Sequence, residues 1–236
     1  MNVKTAKRRL FLVLGDQLNR DVLEQAGLNP ADDLVWMAEA QEESCVVWSH
    51  KARIVLFLSA MRHFHRELVD NGYEVLYHRL DDNSHASLSA TLAADLQRLT
   101  IGEAVVLEPG EFRVEKALRQ TCAQAGLSLR VLPDGHFISD ASEFRAWSSG
   151  RRSLRLEHFY RHLRKQHGIL VADGEPAGGK WNYDSENRQR FGRSGPGVIP
   201  DPAAFAPDAI TRDVIQLVDK KFPDHPGELD SFAWPV

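Results

Sequence analysis

The hydrophobic positions in the first half of the chain alternate between short continuous runs and helical spacings. Residues 10–14 and 34–37 are unbroken apolar runs, which is typical of strands buried on both faces. Over residues 50–70 the apolar side chains recur every three or four positions, which predicts an amphipathic helix that ends at Asn71-Gly72. The alternation continues with strands expected at 74–77, 104–107 and 127–132 and helices expected at 87–99 and 111–125.

Strands that alternate with helices through short loops form a parallel sheet with helices on both faces. Five such strands are enough for a doubly wound domain. The predicted fold class is therefore α/β, with a doubly wound, Rossmann-like, five-stranded parallel sheet in a domain of residues 1–133. A helical and loop extension is expected over 134–236.

The pattern changes beyond residue 133. Helices are expected at 140–147, 153–167 and 208–221, a Gly- and Pro-rich loop covers 173–207, and no strand is predicted after residue 140. Charge shifts as well, because residues 145–193 hold eleven basic and five acidic side chains in a chain whose net charge is −4. Such a stretch suits a phosphate backbone, or it is a solvated basic face.

The composition bounds the class of protein. Hydrophobic residues make up 43% and charged residues 26% of the chain, as in an ordinary globular domain. Cys45 and Cys122 match neither a disulfide framework nor a metal motif, which favours a cytoplasmic location, and no apolar run has membrane-spanning length. His63 and His65 are two positions apart on a helix, so we expect packing or surface residues rather than metal ligands.

Candidate ligand-binding residues follow the first two strands. Gly15, Asp16 and Gln17 stand at the carboxyl end of the first strand, where ligands bind in open α/β sheets. Three glutamates, Glu43 among them, follow the second strand and could accept hydrogen bonds from a ligand. The alternatives are a simple strand-ending turn and a solvated acidic turn before the long helix. No GxGxxG or P-loop motif is present.

The loop over 178–188 is polar yet carries Trp181, Asn182, Tyr183, Asp184 and Arg188. Loops of this composition usually bind a ligand or dock against another domain, and we therefore expect exposed aromatic side chains. The alternative is a self-contained loop, with Trp181 and Tyr183 packed on the 153–167 helix and Asp184 paired with Arg188.

Five motifs occur here in an order known from one family. They are Gly15-Asp-Gln-Leu18, Ser59-Ala-Met-Arg-His-Phe64, Glu108-Pro-Gly-Glu111, Phe144-Arg-Ala-Trp147 and Gly179-Lys-Trp-Asn-Tyr-Asp-Ser-Glu-Asn-Arg188. The chain resembles the cryptochrome/photolyase family. Within it, the chain resembles the N-terminal part of the deoxyribodipyrimidine photolyase-related proteins, the group of iron–sulfur bacterial cryptochromes and prokaryotic (6-4) photolyases.

The resemblance implies an α/β domain that binds a 6,7-dimethyl-8-ribityllumazine antenna pigment. The helical C-terminal domain of this family binds FAD and a four-cysteine [4Fe–4S] cluster, and light-driven electron transfer from the flavin repairs a flipped-out DNA photoproduct. Carried onto this chain, the antenna residues are Gly15, Asp16, Gln17, Glu43 and Phe57. The residues that face DNA and its lesion are Trp181, Asn182, Asp184 and Arg188.

The resemblance also places limits on this chain. No catalytic residue is expected in it, and Phe57 replaces a smaller aliphatic residue of the family, so its ring is expected to narrow the antenna pocket. The first hypothesis is the antenna domain and interdomain linker of a DNA photolyase, which stops before the flavin domain and is inactive alone. One alternative is a naturally short module that binds a lumazine or flavin-like ligand without catalysis. A weaker one is a chain that binds DNA through residues 145–193 alone.

Overall fold

A computed structural model describes residues 8–184 and 190–236 of the chain. The central element is a five-stranded sheet in which every neighbouring pair is parallel, with the spatial order β3-β2-β1-β4-β5. The strands are β1 (Arg9–Leu12), β2 (Asp33–Ala38), β3 (Val75–His78), β4 (Glu103–Leu107) and β5 (Leu129–Leu132). The α/β fold class and the five-stranded parallel sheet predicted from the sequence are confirmed.

Eight α-helices connect or follow these strands in the part of the chain that the structure describes. They are α1 (Arg20–Gln25), α2 (Gln41–Cys45), α3 (Lys51–Asp70), α4 (Leu88–Arg98), α5 (Phe112–Gln124), α6 (Ala141–Ser148), α7 (Leu156–His167) and α8 (Ala209–Lys221). The sequence pattern predicted α3 to α8 to within three residues at each end. It missed α1 and α2, which have six and five residues and are too short for an apolar periodicity to show.

Alternate residues of each strand enter two separate cores, because successive side chains of a strand point to opposite faces. Phe11 and Val35 pack in the core that contains residues of α3 and α8. Leu12 and Trp36 pack in the other core, against residues of α4 and α5. Because helices cover both faces, the central strands are apolar after their first residues, and this explains their continuous hydrophobic runs.

The sequence explains where the long helix α3 begins and ends. At its beginning, the Nδ1 atom of His50 accepts a hydrogen bond of 3.1 Å from the backbone N–H of Ala52. At its end, Gly72 adopts the left-handed conformation (φ +83°) predicted from the Asn-Gly pair.

The described chain divides into two compact units. The first contains the sheet, from residue 8 to His136, together with Ala204–Val236. In this unit Val214 and Val218 of α8 are fully buried in the core that they share with α3. The proposed role of 134–236 as an interdomain linker and the start of a flavin domain stays a prediction.

The second unit is Phe137–Ala203 and contains α6 and α7. The expectation that no strand follows residue 140 was wrong. Two strands of two residues each, Val171–Ala172 (β6) and Glu175–Pro176 (β7), form an antiparallel hairpin. The two turn residues, Asp173 and Gly174, both have positive φ, as in the tight turns that join antiparallel strands. The hairpin therefore forms through its turn, and its strands contain no apolar run that would predict them.

Candidate functional site

A cavity opens at the carboxyl edge of the sheet, where the strand order reverses between β1 and β4. Open α/β sheets bind their ligands at this position, because the connections leave β1 and β4 toward opposite faces and a crevice remains between them. The cavity, which we call the edge cavity, has a volume of about 320 Å³. Its lining comes from the end of β2, from the segments that follow β1, β2 and β4, from α3 and from the first residue of α4: Val13, Leu14, Gly15, Asp16, Ala38, Glu39, Ala40, Glu43, Ser44, Ser49, Arg53, Ile54, Phe57, Leu58, Met61, Leu88, Pro109, Gly110, Glu111 and Val114.

One wall of the edge cavity is apolar and closely packed. A Cβ atom at Gly15 would lie 3.0 Å from Met61 Sδ and 3.3 Å from Phe57 Cδ1, so a side chain at this position would displace its neighbours. The Phe57 ring lies 40% exposed, and the guanidinium of Arg53 lies 5.9 Å from its centroid. Gly15 thus makes room for the Phe57 ring, which presents a flat apolar surface to the cavity.

Another part of the lining is polar, and an ion pair there connects two helices. Arg113, at the beginning of α5, donates to both carboxylate oxygens of Glu43 on α2, at 3.1 and 2.7 Å, and to Glu111 at 3.0 Å. The hydrogen bonds to Glu43 and the charge of both carboxylates raise the pKa of Arg113. Glu43 is therefore held at the cavity rim by a cation that is itself outside the lining.

Asp16 stands at the mouth of the edge cavity beside further carboxylates. A Cβ atom at Gly110 would lie 3.3 Å from Asp16 Oδ2, so the loop after β4 approaches this carboxylate closely. Desolvation raises the pKa of Asp16, the charges of Asp134 and Glu111 raise it further, and His136 opposes them. A ligand group that donates a hydrogen bond to Asp16 would stabilise the carboxylate in these surroundings.

At the inner end of the lining, Glu39 is the centre of a buried polar network. Its carboxylate accepts two hydrogen bonds from Arg62, at 2.8 and 2.9 Å, one from the Tyr77 hydroxyl at 2.5 Å and one from the Leu80 backbone N–H at 2.7 Å. Burial raises the pKa of Tyr77, and the adjacent Glu39 carboxylate raises it further. The network holds the end of β2 against α3 and β3. It therefore also fixes the position at which α2 begins, two residues after Glu39.

The structure brings together four of the five predicted antenna residues. Gly15, Asp16, Glu43 and Phe57 all line the edge cavity, whereas Gln17 does not. Gln17 is buried, and its side-chain amide donates to the backbone oxygens of Leu107 and Glu108, at 3.2 and 3.3 Å. It ties the loop after β1 to the end of β4 and so positions its neighbours.

Sequence reasoning did not assign several residues of this cavity. Arg53 and Met61 of the lining were not singled out, nor was Arg113, which bonds Glu43. Met61 lies within one of the five motifs, and Arg113 stands two residues after another. The helical spacing of residues 53, 57 and 61 was a signal, because positions four apart share a helix face. The role of Arg113 had no local signal, since its partner Glu43 is 70 residues away in sequence.

The histidines of α3 contact side chains from other elements. His63 Nε2 lies 3.4 Å from Asp208 Oδ1, and the His65 ring stacks on Tyr77 with centroids 4.8 Å apart. Within residues 8–184 and 190–236, no group of three or more His, Cys, Asp or Glu side chains is arranged to hold a metal ion. Over the same residues, no helix combines the length and the apolar character needed to cross a bilayer.

In the second unit, Trp181 lies among the cations of α7. Its ring centroid is 5.9 Å from the guanidinium carbon of Arg161, 5.0 Å from that of Arg164 and 5.2 Å from Lys165 Nζ. This half-buried position agrees with the self-contained alternative, in which Trp181 packs on this helix. The expectation of an unusually exposed tryptophan was wrong, because cation–π contacts of the loop's own unit cover the ring.

The rest of the loop is more open. Tyr183 is 44% exposed, and its hydroxyl donates to the Gly178 backbone oxygen at 2.6 Å. Asn182 accepts a hydrogen bond of 2.6 Å from the backbone N–H of Asp184. Arg188, the predicted partner of Asp184 and a predicted lesion-facing residue, lies outside the described residues.

The chain is similar to known proteins over nearly its whole length. Residues 11–234 match the family model described as deoxyribodipyrimidine photo-lyase-related protein. The chain is 38% identical over 230 residues to a (6-4) photolyase of Agrobacterium fabrum. This match covers 97% of this chain and 45% of the photolyase. It is also 24% identical over 141 residues to an uncharacterized protein of Acanthamoeba polyphaga mimivirus, covering 58% of this chain and 70% of that protein.

Proposed function

Since the chain belongs to the deoxyribodipyrimidine photo-lyase-related proteins, we propose that its first unit binds the antenna chromophore of a light-dependent DNA-repair flavoprotein. In this proposal the chain does not repair DNA by itself. It spans less than half the length of the (6-4) photolyase that it matches, and we assign FAD and the [4Fe–4S] cluster to residues outside it.

The observation that carries the proposal is the edge cavity. It lies at the switch point of the sheet, its volume is within the range of small-ligand sites, and it combines one flat apolar wall with a polar rim. A ribityllumazine has the same two parts, a flat heteroaromatic ring and a chain of hydroxyls. We propose that Phe57 and Met61 contact the ring and that Asp16 and Glu43 accept hydrogen bonds from the ribityl hydroxyls or ring N–H groups.

The charges of the rim favour a ligand without a phosphate. Besides Glu39, which is paired with Arg62, three carboxylates line the cavity, those of Asp16, Glu43 and Glu111. The cations near them are Arg53 in the lining and Arg113, which bonds Glu43 and Glu111. A phosphate at this rim would face more negative than positive groups. We therefore expect 6,7-dimethyl-8-ribityllumazine or riboflavin to bind more tightly than flavin mononucleotide, by about tenfold.

The test is a fluorescence titration of the purified chain with each of the three ligands. Gly15→Val should abolish binding, because its side chain would occupy the place of Met61 and Phe57. Gly192→Val is the matched control, since a Cβ atom there meets nothing within 4 Å. The proposal fails if the folded chain binds none of the three ligands, or if Gly15→Val binds the lumazine as the unchanged chain does.

A stand-alone binding module is the second candidate, and the same cavity supports it. The two candidates differ in what lies beyond Val236. A reading frame that continues into a helical sequence with four cysteines supports the photolyase fragment. A stop codon there, together with a purified protein that carries a yellow ligand, supports the module.

DNA is the proposed partner of the whole photolyase, and the second unit would contribute to its binding. Trp181 is surrounded by three cations, and the guanidinium of Arg151 lies 4.4 Å from the Trp147 ring centroid. Cations interleaved with aromatic rings suit a phosphate backbone and unstacked bases. We propose that Trp181, Asn182, Asp184 and Arg188 face the lesion, and a full-length parent with Asp184→Ala and Arg188→Ala should lose lesion binding.

A further inference from the structure

A second cavity lies in the first unit, where the end of α2 meets the segment that follows α8. Its volume is about 360 Å³, and its lining includes Cys45, Trp48, Lys221 and His225. None of these four residues lines the edge cavity, and neither the antenna nor the DNA proposal uses them. Cys45 is exposed, so its sulfur is open to reagents in solution.

The thiol of Cys45 is paired with an imidazole. Its Sγ atom lies 3.9 Å from His225 Nε2, within hydrogen-bonding range for sulfur, and His225 Nδ1 lies 2.9 Å from the Ser49 backbone oxygen. A carbonyl oxygen only accepts hydrogen bonds, so Nδ1 carries the proton of the neutral ring. The lone pair of Nε2 therefore points to the thiol, and His225 is placed as its base.

Aromatic contacts hold this histidine in place. Phe222 packs edge-on against the His225 ring with centroids 5.0 Å apart, and the Trp48 ring lies 6.1 Å away on a tilted plane. With the hydrogen bond to Ser49, these contacts restrict rotation of the imidazole. The arrangement of thiol, base and orienting carbonyl is the pattern of an activated nucleophile.

Cys122 provides the contrast within the same chain. It is fully buried in the sheet core, and burial raises the pKa of its thiol to about 11. A cysteine in such surroundings is inert, because the thiolate is the reacting form. Any thiol chemistry of the folded chain therefore belongs to Cys45.

We propose that Cys45 and His225 form a reactive thiol site that makes mixed disulfides with small peptide disulfides. His225 Nε2 accepts the thiol proton, and the thiolate attacks one sulfur of the disulfide. A new bond to Sγ forms as the old S–S bond breaks, and the departing thiolate takes the proton back from His225 as a free thiol. Cys45 is oxidised and one half of the disulfide is reduced, so no further oxidant is needed.

The rim of the cavity suits a zwitterionic partner. Lys221 and Asp224 both line it, and together they offer one cation and one carboxylate. A peptide disulfide carries ammonium and carboxylate groups that complement both charges. We therefore commit to oxidised glutathione as the probe rather than to an apolar disulfide.

The first experiment treats the purified chain with oxidised glutathione at pH 7 and maps the adduct by peptide mass spectrometry. We expect one glutathionyl group, on Cys45, formed about fivefold to tenfold faster than on a free cysteine peptide. His225→Gln should remove that acceleration, and His167→Gln, at an exposed histidine of α7, should leave it unchanged. A His225→Gln rate equal to that of the unchanged chain would overturn the proposal.

A second measurement needs no variant and is therefore independent of folding defects. The alkylation of Cys45 by iodoacetamide at pH 7 is compared in the native chain and in the same chain in urea. Because the pair with His225 exists only in the folded state, native Cys45 should react faster although unfolding increases its exposure. Equal or faster reaction in urea would show that His225 does not activate the thiol and would reject the site.

Discussion

Arg113 on α5 donates two hydrogen bonds to the carboxylate of Glu43 on α2, and this ion pair joins two helices that follow different strands of the sheet. Glu43 and Glu111 line the edge cavity and Arg113 does not, so the arginine acts on the cavity through these two carboxylates. A five-residue helix such as α2 has little stability of its own. The pair therefore determines where the Glu43 carboxylate stands.

The first prediction concerns this pair. Arg113→Leu should weaken binding of the ribityllumazine about tenfold, because Glu43 loses its fixed position. The free energy of unfolding should change by no more than about 1 kcal/mol, since the Arg113 side chain is partly exposed. The measurements are fluorescence titration and urea denaturation. Arg119→Leu, which removes a surface pair with Glu115 on the same helix, should leave affinity unchanged.

The Phe57 ring gives the second prediction. Phe57→Leu keeps an apolar side chain but removes the aromatic face, so affinity for the lumazine should fall by about 0.5–1.5 kcal/mol, roughly twofold to tenfold. The expectation that the ring narrows the pocket makes the opposite prediction, tighter binding after the substitution. Isothermal titration of both proteins decides between stacking and obstruction. Leu56→Ala, at the exposed position next to it, serves as the control.

The third prediction is a pH dependence that arises from Asp16. Desolvation and the neighbouring carboxylates raise the pKa of Asp16 in the folded chain above its ordinary value of 3.8. The folded state therefore holds this proton more tightly than the unfolded state, and ionisation of Asp16 lowers stability as the pH rises from about 4 through the raised pKa.

Asp16→Asn should accordingly raise the melting temperature at pH 7 and have no such effect at pH 3, where both states of the unchanged chain are protonated. Scanning calorimetry across this range measures it. Asp82→Asn, at an exposed turn position, is the control for loss of a surface charge. A lower melting temperature for Asp16→Asn at pH 7 would mean that the carboxylate stabilises the fold.

The fold could be predicted from the sequence because its strongest signal is local. The central strands are buried on both faces, so residues 10–14 are apolar at every position. One face of α3 is buried, so apolar side chains recur every three or four positions along its 20 residues. The hairpin at β6 and β7 gave no such signal, because it depends on turn conformations at Asp173 and Gly174 rather than on burial.

The site could be predicted only in part, for a related reason. A position at the end of β1 identifies Gly15 and Asp16 as cavity residues, since topology alone places them there. The direction of a side chain depends on tertiary contacts, and Gln17, one residue further on, turns into the protein to bond the backbone after β4. The partner of Glu43 likewise comes from another helix, which no local pattern reveals, and the contact of Trp181 with α7 was predicted only as an alternative.

The last prediction concerns the buried carboxylate of Glu39. Its four hydrogen bonds are made by Arg62, Tyr77 and the Leu80 backbone, and both Glu39 and Arg62 are almost fully buried. Glu39→Ala would leave the Arg62 cation with Asp81 as its remaining acidic partner, at 2.9 Å. Removing one member of a buried pair costs about 3–5 kcal/mol, because the other charge stays desolvated without its partner. We expect a loss of this size in urea denaturation of Glu39→Ala. Glu74→Ala, which removes the exposed partner of Arg8, should cost less than about 1 kcal/mol.

The double variant Glu39→Ala, Arg62→Leu separates desolvation from simple loss of packing, because it removes the unpaired Arg62 cation as well. If desolvation dominates, the double variant is more stable than Glu39→Ala alone. A double variant that is less stable than Glu39→Ala would show instead that packing of the Arg62 side chain holds the end of β2 against α3.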